Sequence, residues 1–146
     1  MSLFVYGIYI FLAVFVAGNM VTLQIQHYGI YPFVGKENFR NYMQANNDAA
    51  KFPSIIPAML LLLMNLVLIF VKPDFIPLFT IMFFLMLNTI ALISTFTWQR
   101  KLQGEMAVTG YDAVKITKLI STNWIRTVVF LVQAILAVII TIRALH

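Results

Sequence analysis

The sequence predicts an all-α polytopic membrane protein, a four-transmembrane-helix bundle with short interfacial helices in its two long connections. Hydrophobic residues fill 62% of the 146 positions and charged residues 10%, where soluble domains carry about half and about a quarter. Four apolar runs stand apart, near residues 3–26, 53–72, 75–98 and 122–145, and about 20 helical residues cross a hydrocarbon core of roughly 30 Å. Cysteine is absent and histidine is confined to His27 and His146. Disulfide frameworks, thiolate metal sites, bis-histidine haem and di-iron bundles therefore lack their ligands, and neither a cofactor nor a metal is expected. The whole chain, residues 1–146, reads as one membrane domain.

The first run has no basic region before it and no small-residue cleavage signal after it, so it reads as a retained span. Its second half turns polar through Asn19, Thr22, Gln24, Gln26 and His27, while Ala13, Ala17 and Gly18 offer room for close helix approach. Asn19 is expected to make an interhelical hydrogen bond. The connection over 28–52 opens with Gly29, Pro32 and Gly35, after which Phe39, Tyr42, Met43, Asn46 and Ala50 recur on one helical stripe. Asn46 stands where an apolar residue fits the pattern. It marks either an interfacial helix with an imperfect stripe or a polar group lining a pocket.

The second span admits Pro53 and Pro57 in its first turns, where proline costs least, buries the single amide Asn65, and stops at Lys72-Pro73-Asp74. Asn88 lies near the middle of the third span. Trp98 and Arg100-Lys101 then mark an interface, although the pattern lets the helix continue through Gln99 to Met106. Thr109 and Asp112 have capping-box spacing, and Ala113, Ile116, Leu119 and Ile120 behind them form the apolar stripe of a short helix lying in the membrane surface. The fourth span starts at Thr122, carries Gln133 two turns below Arg126, and ends near Arg143.

The formal charge of +5 does not point to nucleic acid, because the cations form no stripe interleaved with aromatics. They sort instead by connection. Lys36, Arg40, Lys51, Arg100, Lys101, Lys115 and Lys118 fall in the two long connections, against Lys72 and Arg143 on the other side. The positive-inside rule then puts the long connections in the cytoplasm and both termini outside it, in an inner, cytoplasmic membrane of bacterial type.

Polar residues converge at the cytoplasmic mouth of such a bundle. His27 ends the first span, Trp98 and Gln99 end the third, and Asn123, Trp124 and Arg126 begin the fourth, with Asn46 above them. Of these, Asn123, Trp124, Arg126, Trp98, His27 and Asn46 are the candidate ligand-binding residues. A cation inside a span costs about 2.5 to 3.5 kcal/mol at the bilayer centre and less near an end. Arg126 is either a snorkelling arginine that touches lipid phosphate or the centre of an anion site, since a guanidinium engages carboxylate or phosphate through two hydrogen bonds. His27 is read as an interfacial hydrogen-bonding group or, alternatively, a base.

Thr122-Asn123-Trp124-Ile125-Arg126-Thr127, preceded by Leu102, Gly110, Asp112 and Leu119-Ile120, resembles the closing motif of small four-helix membrane proteins related to fungal anthrone oxygenases. Tyr31-Pro32, Phe39, Tyr42, Pro53 and Pro57 are similar to that family's first connection. The resemblance implies oxidation of a reduced polycyclic aromatic by dioxygen without a recognised metal or flavin, with Asn123, Trp124 and Arg126 as the shared residues. Where related sequences carry histidines in the connections, this chain has Asn46 or Asn47 and Gln99, and an amide cannot act as a general base. The leading expectation is accordingly a non-catalytic protein that binds membrane lipids or serves as an accessory subunit of a larger membrane complex. The alternative is a cofactor-independent oxygenase acting on an apolar aromatic small molecule. A transporter ranks last, because no Asp or Glu lies inside a span.

Overall fold

A computed structural model describes residues 2–145, apart from the side chain of Lys51; His146 and that side chain lie outside the described residues. Six α-helices occur in chain order: α1 (Ser2–Thr22), α2 (Phe39–Ala49), α3 (Ile56–Val71), α4 (Leu78–Ser94), α5 (Arg100–Thr109) and α6 (Ala113–Ala144). Short π and 3₁₀ segments extend them. A π-helical segment, Leu23–His27, and a 3₁₀ segment, Tyr28–Phe33, prolong α1, while π segments at Lys51–Ile55 and Thr95–Gln99 lead into α3 and join α4 to α5.

Four continuous helical rods are long and apolar enough to cross a membrane: Ser2–Phe33, Phe52–Val71, Leu78–Thr109 and Ala113–Ala144. They form an up-down-up-down bundle in which α1 and α4 each pack between α3 and α6. Along α1 the buried positions Tyr6, Tyr9, Ala13, Val16, Ala17 and Met20 follow helical spacing, so one stripe faces the bundle. Phe4, Phe11, Phe70, Phe79 and Phe96 are exposed on the outer surface, as suits side chains solvated by lipid. Ala13 and Ala17 are buried as expected, but Gly18 faces outward. Its neighbour Asn19 does cross to the next helix, donating to the Pro53 carbonyl at 2.6 Å.

Three of the rods have 32 residues, about 48 Å of helix, well beyond a hydrocarbon core. At one end the rods finish together: Tyr6 donates to the Ala137 carbonyl at 3.1 Å and packs edge-on against Phe75. The surplus turns therefore all project at the other end, where α5, the start of α6 and the Tyr28–Phe33 turn join α2 in a head with its own core. Tyr28, Tyr31, Phe39, Met43, Leu102, Met106, Ile116 and Leu119 are buried there.

Three boundaries differ from the sequence expectation; the first rod runs on to Phe33, past the expected end at 26, because a π and a 3₁₀ segment continue it. The third span starts at Leu78 instead of 75, because Pro77 forces Ile76 out of the helical region and itself adopts an extended conformation. The separate surface helix behind residue 112 does not exist: α6 runs unbroken from Ala113 to Ala144. No glycine or proline interrupts that stretch, and Ile116, Leu119, Asn123, Thr127, Phe130, Ala134 and Ala137 keep one buried stripe throughout. Nor does Thr109 cap it. Thr109 is the last residue of α5, Gly110 ends that helix at φ +86°, and Asp112 is the N-cap, accepting from the Val114 and Lys115 amides at 3.0 Å each.

Candidate functional site

Hydrogen bonds between rods fix which residues share a level. Thr127 donates to the Met20 carbonyl at 3.4 Å, Asn19 to Pro53, and Gln99 to the Thr122 hydroxyl at 3.3 Å. Met20, Ser54, Thr95 and Arg126 therefore lie in one layer, at the junction of head and bundle.

Two cavities meet in that layer. The lower, of about 100 Å³, runs between α3, α4 and α6 and is lined mainly by apolar side chains, among them Ala58, Met59, Leu62, Leu92 and Phe130, with Asn88 on its wall. Its rim residues Ile55, Met59 and Phe96 are exposed, so it opens sideways between α3 and α4. The upper, of about 40 Å³, is richer in polar groups, with His27, Tyr28, Asn46, Asn47, Gln99 and Gln103 beside the apolar Leu23 and Ala50. Ser54, Ile55, Thr95, Arg100 and Arg126 line both.

All three π segments contribute to the upper wall: Leu23 and His27 from the first, Ser54 and Ile55 from the second, Thr95 and Gln99 from the third. A π turn inserts one residue into the helix and rotates the following side chains, a feature concentrated at functional sites. Ser94 and Gln99 show its effect, both buried and joined by a 3.2 Å hydrogen bond across five residues.

Arg126 stands at the junction of the two cavities with only 9% of its surface exposed. Its Nη2 approaches the Met20 sulfur at 3.4 Å, a weak acceptor. The Tyr28 hydroxyl is its other polar neighbour, and Nε has no partner. Neither cavity is lined by a carboxylate among the described residues.

Above it the polar wall is closely bonded. His27 Nε2 lies 2.7 Å from Asn46 Oδ1 and 3.2 Å from the Tyr31 hydroxyl, Asn46 Nδ2 donates to that hydroxyl at 2.8 Å, and Gln103 donates to the Tyr28 hydroxyl at 3.2 Å. With the Nε2 proton directed at Asn46 Oδ1, that nitrogen has no lone pair left for Tyr31, whose hydroxyl accepts from Asn46 Nδ2. Tyr42 packs edge-on against Tyr31, and burial raises the pKa of its hydroxyl.

Of the residues singled out in the sequence, Arg126, His27 and Asn46 line one cavity. Asn123 is buried beside it but serves the α1–α6 seam, donating to Gln24 at 2.8 Å. The tryptophans do not take part. Trp98 is half-buried against the head core, and Trp124 is 48% exposed on the outside of the bundle, because it follows Asn123 by one residue and so points roughly 100° away on the helix. Sequence reasoning missed Ser54, Thr95, Gln103 and the placement of Asn88 in the cavity. The five-residue step between the polar residues Ser94 and Gln99 was the available signal. Among the described residues no three His, Cys, Asp or Glu side chains gather as a metal site.

No family model, curated protein or solved structure matches this chain.

Proposed function

We propose that this protein is a non-catalytic membrane protein that binds an anionic amphiphile, acting on its own or as an accessory subunit of a larger membrane complex. The observation that carries the reading is Arg126: a buried cation with an unpaired Nε, facing a small polar cavity on one side and an apolar one on the other, with no carboxylate on either lining. A buried charge needs a counter-charge to offset its desolvation. A carboxylate or phosphate in the upper cavity supplies one, and its hydrocarbon part continues into the lower cavity, where the opening between α3 and α4 admits it from the bilayer. The cation distribution supports a cytoplasmic head and termini outside, in a bacterial inner membrane.

The test is native mass spectrometry of the protein released from mild detergent. Wild type should retain an anionic amphiphile whose mass tells fatty acid from phospholipid, and Arg126→Gln should lose it. Retention of the same species by the variant sinks the reading. Thiol labelling checks orientation: cysteine at position 36 or 115 should be shielded from an impermeant reagent in intact cells, and cysteine at position 74 labelled.

A second reading, an oxygenase-like enzyme acting on an apolar aromatic, takes support from one observation. His27, held by Asn46 and Tyr31, lines the polar cavity directly above the apolar one. Dioxygen consumption with a reduced polycyclic aromatic, lost in His27→Gln, would favour it.

A further inference from the structure

The lower cavity contains a second unsatisfied group. Asn88 lines it, is 4% exposed, and its Nδ2 has no hydrogen-bond partner. In hydrocarbon such a donor is costly, and bundles normally provide it with an acceptor. Asn88 lies two turns toward the bundle centre from Thr95, which shares the level of Arg126, so the two polar groups are separated by about 10 Å along the bundle. The wall between them is apolar, formed by residues such as Ala91, Leu92 and Phe130.

The volumes set the size of what fits. A water-sized group needs about 10 to 15 Å³ on this measure. The upper cavity of about 40 Å³ holds about three such groups, the size of a carboxylate and too small for a glycerophosphate with its esters. The lower, about 100 Å³, is smaller than the roughly 150 Å³ that takes a benzene ring and encloses about four carbons, so the rest of a chain lies along its opening between α3 and α4. An extended chain advances about 1.2 Å per bond, so 10 Å corresponds to roughly eight bonds.

We infer that the site takes a single-chain acid of about ten carbons bearing a second oxygen at the end remote from its carboxylate, and that Asn88 recognises that oxygen. The inference rests on the reading of Arg126 as the anion-binding group. Arg126 and the upper cavity hold the carboxylate, the α3–α4 seam holds the chain, and Asn88 Nδ2 donates to a hydroxyl or carbonyl oxygen. Specificity then arises because a plain chain leaves the amide unpaired while an oxygenated one satisfies it, a distinction that apolar contact alone does not make.

Calorimetric titration in zwitterionic nanodiscs tests this with decanoate, 10-hydroxydecanoate and 2-hydroxydecanoate, each corrected for partition into empty discs. Wild type should bind 10-hydroxydecanoate about fivefold more tightly than decanoate, the scale of one net hydrogen bond, with no gain for the 2-hydroxy acid. Asn88→Leu replaces the amide by an apolar group of similar size and should erase the preference while leaving decanoate within about twofold. Equal binding of decanoate and 10-hydroxydecanoate by wild type overturns the inference whatever the variant does, and a preference that survives Asn88→Leu does the same. If decanoate and 10-hydroxydecanoate bind equally and Arg126→Gln abolishes both, the anion site stands and the inference about Asn88 falls; if neither acid binds, both readings fall.

Discussion

The head and the bundle treat their polar groups in opposite ways. In the head, His27, Tyr31 and Asn46 close a triangle, Gln103 meets Tyr28, and Gln44 donates to the Ala107 carbonyl at 3.1 Å. In the bundle, Asn65, Asn88, Asn123, Arg126 and Gln133 each keep at least one buried atom without a partner, and among the described residues every such atom lies on these membrane-spanning helices. Unpaired groups thus fall where lipid cannot satisfy them and their cost is highest. The head uses polar contacts to hold helices together. The bundle leaves some open, and two of these residues, Arg126 and Asn88, line a cavity large enough for a ligand.

The sharpest test of that contrast is at Arg126. If its open valence is for an anion, Arg126→Gln should weaken binding of an anionic amphiphile in nanodiscs about tenfold to hundredfold, the worth of a charge-assisted hydrogen bond at about 1.5 to 3 kcal/mol. Arg126→Lys should weaken it less, yet measurably, since lysine keeps the charge and loses the planar fork. Arg143→Gln removes an exposed cation at the flush end of the bundle and should change little. Equal effects at Arg126 and Arg143 would show that binding follows net charge alone.

The same substitution in the two regions should give opposite signs. Asn46→Leu in the head removes a partner of both the Tyr31 hydroxyl and the His27 imidazole, leaving the 3.2 Å contact between them, and should destabilise the fold by about 1 kcal/mol. Asn65→Leu in α3 removes two buried atoms that bond to nothing, so it should raise stability by about 1 kcal/mol. Denaturation of both variants in the same detergent decides the matter. Destabilisation at Asn65 comparable to that at Asn46 would mean that the bundle amide is satisfied in the membrane, and the contrast would collapse.

The bundle was legible in the sequence because its signal is simple: four apolar runs of sufficient length, separated by polar connections that carry most of the charge. Arg126 was legible for the converse reason, as a charge among apolar residues. The head was not, since a stripe such as Phe39, Tyr42, Met43 reads alike on a membrane surface and on another helix, and only tertiary contact places α2 against α5. Trp124 shows the limit of a sequence motif: neighbours in sequence face different sides of a helix, and it points outward while Asn123 is buried. The cavity was hidden by the π segments: each adds a residue to a turn, so a strict helical period projects Gln99 and His27 at the wrong angles.

The start of α6 also joins the two regions, and it yields the smallest prediction. The first turns of α6 belong to the head and the rest to the bundle, so this helix, like the Ser2–Phe33 and Leu78–Thr109 rods, couples them. Its first turn is held by Asp112, which accepts two backbone amides, and by Lys115, whose ammonium lies 2.9 Å from Glu105 on α5. The ion pair is partly exposed and contributes little; the cap matters more. Asp112→Ala should cost about 1 kcal/mol, but the loss should be local, because Ile116 and Leu119 remain buried in the head core. Hydrogen exchange should accelerate at Val114 and Lys115 and stay slow from Asn123 onward. Faster exchange reaching Arg126 would mean that the cap props the cavity wall itself, and that head and bundle unfold as one unit.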